Sequence, residues 1–194
     1  MSMTFTRLSF VSLAAVALTS ACASSAPTRT AARPQAAPAI DRGQIELAQR
    51  AWCDALIDIG RVGATGGDAR AAATQVLSSA YDYDQGTVLF KPTLTFGAQT
   101  FRMSKAGALA YFVGGDPAYP DDHGFALKQW VKCQPAVVDV VASGDMAVAM
   151  GNVHLEDHRG NTVTVDKTFG YRRGDDGTLR IVLHHSSLPY TPPR

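Results

Sequence analysis

Turn chemistry cuts the second half of the chain into short alternating runs at three places: Ser143-Gly144-Asp145, His158-Arg159-Gly160-Asn161 and Gly174-Asp175-Asp176-Gly177. Glycine, asparagine and aspartate there supply the backbone freedom and local hydrogen bonds of tight reversals. Runs joined so closely pair as antiparallel neighbours, because a parallel pair needs a crossover of a dozen or more residues. Strands are therefore expected at Phe125 to Cys133, Val137 to Ala142, Met146 to Asp157, Asn161 to Arg173 and Thr178 to Ser187.

The preceding segment has a different period. Ile45, Ala48, Trp52, Leu56 and Ile59 recur at helical spacing, with Asp41 and Gln44 placed as a capping box and Gly60 as the stop. Asp68 is placed to cap a second helix carrying Ala72, Val76, Leu77 and Ala80, and Ser104 a third, short one reaching about Val113. Between them Thr87 to Leu94 reads as a strand, and Pro92 inside it requires an edge or a bulge. Gly114 to Gly124 is rich in Gly, Pro and Asp, a loop of the length that often carries function. Helices first and a meander after is an α+β pattern. One strongly curved antiparallel sheet wrapped against the leading helices makes a cone with a pocket inside.

The first 23 residues read as a secretory leader: Arg7, the apolar stretch Leu8 to Leu18, then small residues up to Ala23. That stretch is too short for a permanent membrane anchor. Ala21-Cys22-Ala23 fits a cleavage site, and Cys22 offers the alternative of a lipid anchor, although Leu18 lies one place too far upstream for the usual lipoprotein pattern. The expected location is periplasmic or secreted. Residues 24–40 have almost nothing to bury and read as a disordered tether, leaving 41–194 as a single domain. Loss of Arg7 with the leader brings the 18 basic residues level with the 17 acidic ones, and there is no Lys/Arg run, so nucleic acid is not an expected partner. Cys53 and Cys133 could pair in an oxidising compartment, but spacing alone does not bring them together, and two buried thiols are the preferred reading.

The last strand ends in His184-His185-Ser186-Ser187. Regular alternation puts Arg180, Val182, His184 and Ser186 on one face and Ile181, Leu183, His185 and Ser187 on the other. Two adjacent histidines of a regular strand cannot ligate one ion, whereas His184 and Ser186 can meet the same small molecule. A bulge at His184-His185 would overturn this. The plainer reading is that the histidine bonds a backbone carbonyl and the serines cap the turn. No helical His-x-x-x-His and no Cys-x-x-Cys occurs. Asp121-Asp122 and Asp175-Asp176 read as solvated turns, Asp166 and Lys167 as a structural pair on a strand, and Trp130 and Phe169 as core or pocket wall.

Five motifs in order carry a family resemblance: Lys91-Pro92-Thr93, Ala110-Tyr111-Phe112-Val113-Gly114-Gly115, Asp122-His123-Gly124-Phe125-Ala126, Thr168-Phe169-Gly170-Tyr171 and His184-His185-Ser186-Ser187-Leu188-Pro189. Together they resemble the iota-class carbonic anhydrases, cone-shaped proteins related to nuclear transport factor 2 and to the association domain of the calmodulin-dependent kinase. The resemblance runs from about Asp41 to the C-terminus. It implies reversible hydration of carbon dioxide to bicarbonate and a bicarbonate site at Thr93, Tyr111, His184, His185 and Ser186; a homodimer joined through the outer sheet face is the expected assembly.

It leaves the cofactor open, since some members have been described as zinc or manganese enzymes and others as metal-free. A metal would lower the pKa of bound water from about 15.7 to about 7. Without one, a neutral imidazole of pKa about 6.5 must take the proton uphill by about nine units, roughly 12 kcal/mol. A barrier of that size still permits on the order of 10³ turnovers per second. No cofactor is therefore the expectation, with a divalent ion such as zinc or manganese as the alternative. In the metal-free scheme Thr93 and Ser186 hold the attacking water, Tyr111 donates to the forming bicarbonate and one histidine takes the proton. A non-catalytic pocket protein and an oligomerising module are the competing readings, because this kind of fold hosts many functions.

Overall fold

The computed structural model describes residues 39–193. The expected leader and all but the last two residues of the expected tether lie outside the described residues. Ile40 belongs to the folded part: it is buried in the same core as Ile45, and the two occupy the N′ and N4 positions of a hydrophobic staple. Between them Asp41 caps α1 (Arg42–Ala64), accepting from the Gln44 amide at 2.9 Å, while the Gln44 side chain accepts from the Asp41 amide at 3.1 Å. α1 does not stop at Gly60. A Cβ there would lie 2.6 Å from the Ala126 carbonyl oxygen, so this glycine lets the 3-10 turn Ala126–Lys128 rest directly on the helix. α2 (Ala69–Ser79) and α3 (Lys105–Val113) start at Asp68 and Ser104, whose side chains accept from the Ala71 and Gly107 amides. α3 ends at Gly114, whose φ of 65° turns the chain out of the helix.

The sheet comprises β1 (Leu89–Lys91), β2 (Trp130–Ser143), β3 (Met146–Asp157), β4 (Thr162–Arg173) and β5 (Leu179–Ser187), in the order β1-β5-β4-β3-β2. Every pairing is antiparallel except that of β1 with β5. The two strands expected between Phe125 and Ala142 are one strand, β2, and the residues before Trp130 form the 3-10 turn instead. Pro135 does not break β2, because an edge strand can leave one side of its backbone unpaired. β1 is the opposite edge, but it covers only Leu89–Lys91 of the expected Thr87 to Leu94, so Pro92 lies just outside the strand rather than within it.

A bulge in β5 decides which residues enter the cone. Gly170 faces Leu183 and Tyr171 faces Ile181, so Val182 is the extra residue. Ile181 thereby joins His184 and Ser186 on the inner face, where regular alternation had put Arg180 and Val182. The irregularity falls ahead of the histidine pair and leaves its two members on opposite faces: His184 and Ser186 are buried, His185 exposed.

Trp52, Cys53, Leu56 and Ile59 of α1 bury against the sheet, and Cys53 forms a disulfide with Cys133 of β2 across a Cα separation of 5.3 Å. The preference for two separate thiols is corrected: helix packing, invisible in the spacing, brings them together. The bond closes a sequence separation of 80 residues, which in the chain-entropy account stabilises by about 4 kcal/mol. A Cys53→Ala/Cys133→Ala variant is expected to melt about 10 °C below the parent by calorimetry. An unchanged melting temperature would show that the crosslink contributes nothing beyond the packing around it.

Candidate active site

Pairing of β1 with β5 places Phe90 beside His184 and Lys91 beside His185, so Thr93, just past the end of β1, comes level with Ser186. Their hydroxyls meet at 2.5 Å, and the Lys91 amine donates to the Ser186 carbonyl at 2.9 Å. Thr93 is half-buried and Ser186 fully buried. Tyr111 approaches from α3. Its hydroxyl is buried and has no hydrogen-bond partner among the described residues. Burial pushes its pKa well above the usual phenol value, only partly countered by the Thr93 side chain and the backbone of Thr93 and Leu94. Tyr111 thus stays a protonated donor at neutral pH.

The loop from Gly114 to Gly124 fixes that tyrosine. The Phe125 amide donates to the Tyr111 carbonyl and the two rings stack at 5.3 Å. Asp122 is not the solvated turn residue expected: it is buried and pairs with Arg102, both carboxylate oxygens lying 3.0 Å from one guanidinium nitrogen. Asp176 is exposed and pairs with Arg180, whose hydrogen bond holds its carboxyl well below the usual range.

Thr93 lines a mainly apolar cleft of about 280 Å³ walled by Phe125, Trp130, Val165 and Leu188, and Tyr111 lines a second of about 390 Å³. Leu94 and Phe125 border both. Thr93 and Tyr111 thus border adjoining clefts, and the buried Ser186 hydroxyl lies behind Thr93.

His184 lies deeper than expected. It is boxed by Phe90 at 4.6 Å, Phe169 at 4.5 Å and Trp52 at 5.4 Å between ring centroids, and is only 1% exposed. Both ring nitrogens are engaged: Nδ1 with the Tyr81 hydroxyl at 2.9 Å, Nε2 with the Lys167 amine at 2.7 Å. Tyr81 in turn accepts from the Trp52 indole at 2.9 Å. Burial, then the Lys167 and His185 charges, lowers the His184 pKa well below the normal histidine value. His184 backs the site rather than lining it, and His185 faces outward.

Four neighbours of these residues were not singled out for the site from the sequence: Trp52, Tyr81, Lys91 and Lys167. Lys167 carried a readable signal. It alternates with Val165, Phe169 and Tyr171 on a buried strand face, where a lone cation is out of place. It does not pair with Asp166, which faces the other way and accepts from Asn152.

Among the described residues no group of three or more His, Cys, Asp or Glu is arranged to hold a metal ion. Residues 43–188 match the family described as metal-independent carbonic anhydrase. A metal-independent carbonic anhydrase of Nostoc sp. (strain PCC 7120) is 47% identical over 154 residues, which span 78% of this chain and 75% of that protein. The crystal structure of an iota-carbonic anhydrase from a cyanobacterium, complexed with bicarbonate, matches with a TM-score of 0.79 at 45% identity, over 82% of this chain and 99% of that one. An NTF2-like protein of unknown function from Pseudomonas putida is a remoter likeness, 15% identical with a TM-score of 0.45 over 77% of this chain and 84% of that one. By sequence and by fold the chain belongs to the metal-independent carbonic anhydrase family, whose members hydrate carbon dioxide reversibly.

Proposed function

We propose that this chain binds carbon dioxide and bicarbonate at Thr93, Ser186 and Tyr111, with His184 behind them. The observation that carries the reading is the part-buried contact of the Thr93 and Ser186 hydroxyls beside a buried tyrosine hydroxyl that has no hydrogen-bond partner among the described residues. Carbon dioxide, apolar and uncharged, suits the carbon-lined cleft. A water held by Thr93 and Ser186 attacks its carbon, and Tyr111 donates to the oxygen that becomes negative. The Lys91 ammonium, bonded to the Ser186 carbonyl, adds positive potential for the anionic product. His185, expected in the site, has no part in this scheme because it lies on the other face of β5.

Ser186→Ala and Thr93→Val are each expected to lower kcat/KM for hydration by about 10²-fold, as is Tyr111→Phe, the usual cost of removing one donor to a developing oxyanion. Stopped-flow measurement with an unchanged far-ultraviolet circular dichroism spectrum checks this, and full activity in any of the three removes that residue's role. Exhaustive chelation is expected to leave the rate as it was.

The outer sheet face carries Val141, Val148 and Met150, all exposed, with Val141 and Val148 paired across the β2–β3 ladder. This apolar strip supports the homodimer. Light scattering is expected to give twice the chain mass, and Met150→Glu to halve it.

The first 23 residues support export to the periplasm or beyond, with Cys22 as the site of a lipid anchor if it is retained. The mass of the mature protein distinguishes a chain starting near Ser24 from one beginning at a diacylated Cys22.

A further inference from the structure

We infer that Lys167 works as a neutral amine and receives the proton released when water attacks carbon dioxide, an inference that rests on the hydration site proposed above. The argument starts from donors and acceptors. The Trp52 indole can only donate, and it does so to the Tyr81 oxygen. The Tyr81 hydroxyl is fully buried, and the other partner the structure gives it is His184 Nδ1, so its single proton points there. A neutral imidazole that accepts at Nδ1 carries its proton on Nε2. That N–H faces the Lys167 nitrogen at 2.7 Å and needs a lone pair, which an ammonium does not have.

The protonated state has its own place. Once Lys167 is an ammonium it donates to Nε2, His184 moves its proton to Nδ1, and the Tyr81 hydroxyl proton loses its acceptor. The Trp52 ring, 4.6 Å from the amine, and Phe169 at 5.7 Å offer the new charge their π faces. Lys167 can therefore be occupied in both forms, and the tautomer of His184 records which.

The surrounding charges favour the neutral form at rest. Lys91 on β1 is the cation whose charge acts on it, His184 and, on the far face, His185 come from β5, Trp52 from α1 and Tyr81 from the segment after α2, while Asp166 points away toward Asn152. Burial and then the Lys91 charge bring the Lys167 pKa down from 10.5 to about 7, whereas His184 is held well below its ordinary value. A base with a pKa near the working pH is the more effective one. Lys167 is also the cross-strand partner of Ser186, on the same buried face. In the step, the water oxygen bonds to carbon, one C=O electron pair withdraws onto its oxygen, and a water O–H bond breaks. The water's proton goes to the Lys167 lone pair, which lets go of the His184 Nε2–H as the ammonium forms; Lys167 and Ser186 are paired on neighbouring strands. Bicarbonate leaves, and the ammonium gives its proton to buffer.

The test uses the full mature protein labelled with ¹⁵N-histidine. Above pH 8 His184 is expected to carry its proton on Nε2. As the pH falls through about 7 it should switch to Nδ1 without becoming an imidazolium, while hydration kcat/KM falls by about tenfold per pH unit below that point. Lys167→Met is expected to abolish the switch, lower hydration by about 10²-fold and flatten the pH profile. Ser186→Ala should keep the switch while losing hydration at every pH, so retained activity there would sink the site reading and leave the Lys167 titration standing. A single His184 tautomer from pH 6 to 9 in the parent protein would overturn the inference even if Lys167→Met does not fold, as would a parental pH profile in that variant.

Discussion

The parallel pairing of β1 with β5 joins two segments that lie about ninety residues apart in the chain. Only three residues of β1 take part, yet they set the heights of everything in the site: Phe90 against His184 as one wall of the aromatic box, Lys91 on the Ser186 carbonyl, Thr93 on the Ser186 hydroxyl. Parallel neighbours need a long crossover, and here that crossover contains α3, which delivers Tyr111, and the loop that props it with Phe125. Pro92 ends the ladder just before Thr93, so the chain can bend and bring the hydroxyl inward instead of continuing the pleat.

Behind the hydroxyls, the fold tolerates a lysine, a histidine and a tyrosine with almost no exposure. Buried polar groups are costly unless each finds a partner. Here the chain Trp52, Tyr81, His184, Lys167 satisfies them in sequence, and the rings of Phe90 and Phe169 exclude water around it. Such a network acts at two levels, fixing the inner face of β5 against α1 and β4 while holding ionisable groups away from their solution behaviour.

Much of this was legible from local chemistry. The Asp41, Asp68 and Ser104 caps, the three reversals, the edge position forced by Pro92 and the α+β order all depend on residues within a few positions of one another. Of the five residues singled out for the site, Thr93, Tyr111 and Ser186 come together, His184 stands one layer behind, and His185 faces solvent. What escaped was decided at a distance. The Val182 bulge, which reassigns Ile181 to the core, needs the partner strand to define it. Gly60 looks like a helix stop until the Ala126 carbonyl is seen against it. Cys53 and Cys133 are neighbours only after α1 has packed on β2. Lys167 reads as half of a structural pair with Asp166 because alternation alone does not say which face of β4 is wrapped.

The Cys53–Cys133 bond ties α1 to β2, the sheet edge opposite the one that carries Thr93 and Ser186. In reducing surroundings the two thiols stay separate and α1 lacks its covalent tie to β2. Only in oxidising surroundings does the latch close, and because it closes far from the hydroxyls, the time of oxidation sets when the molecule becomes durable rather than the arrangement of its reacting groups.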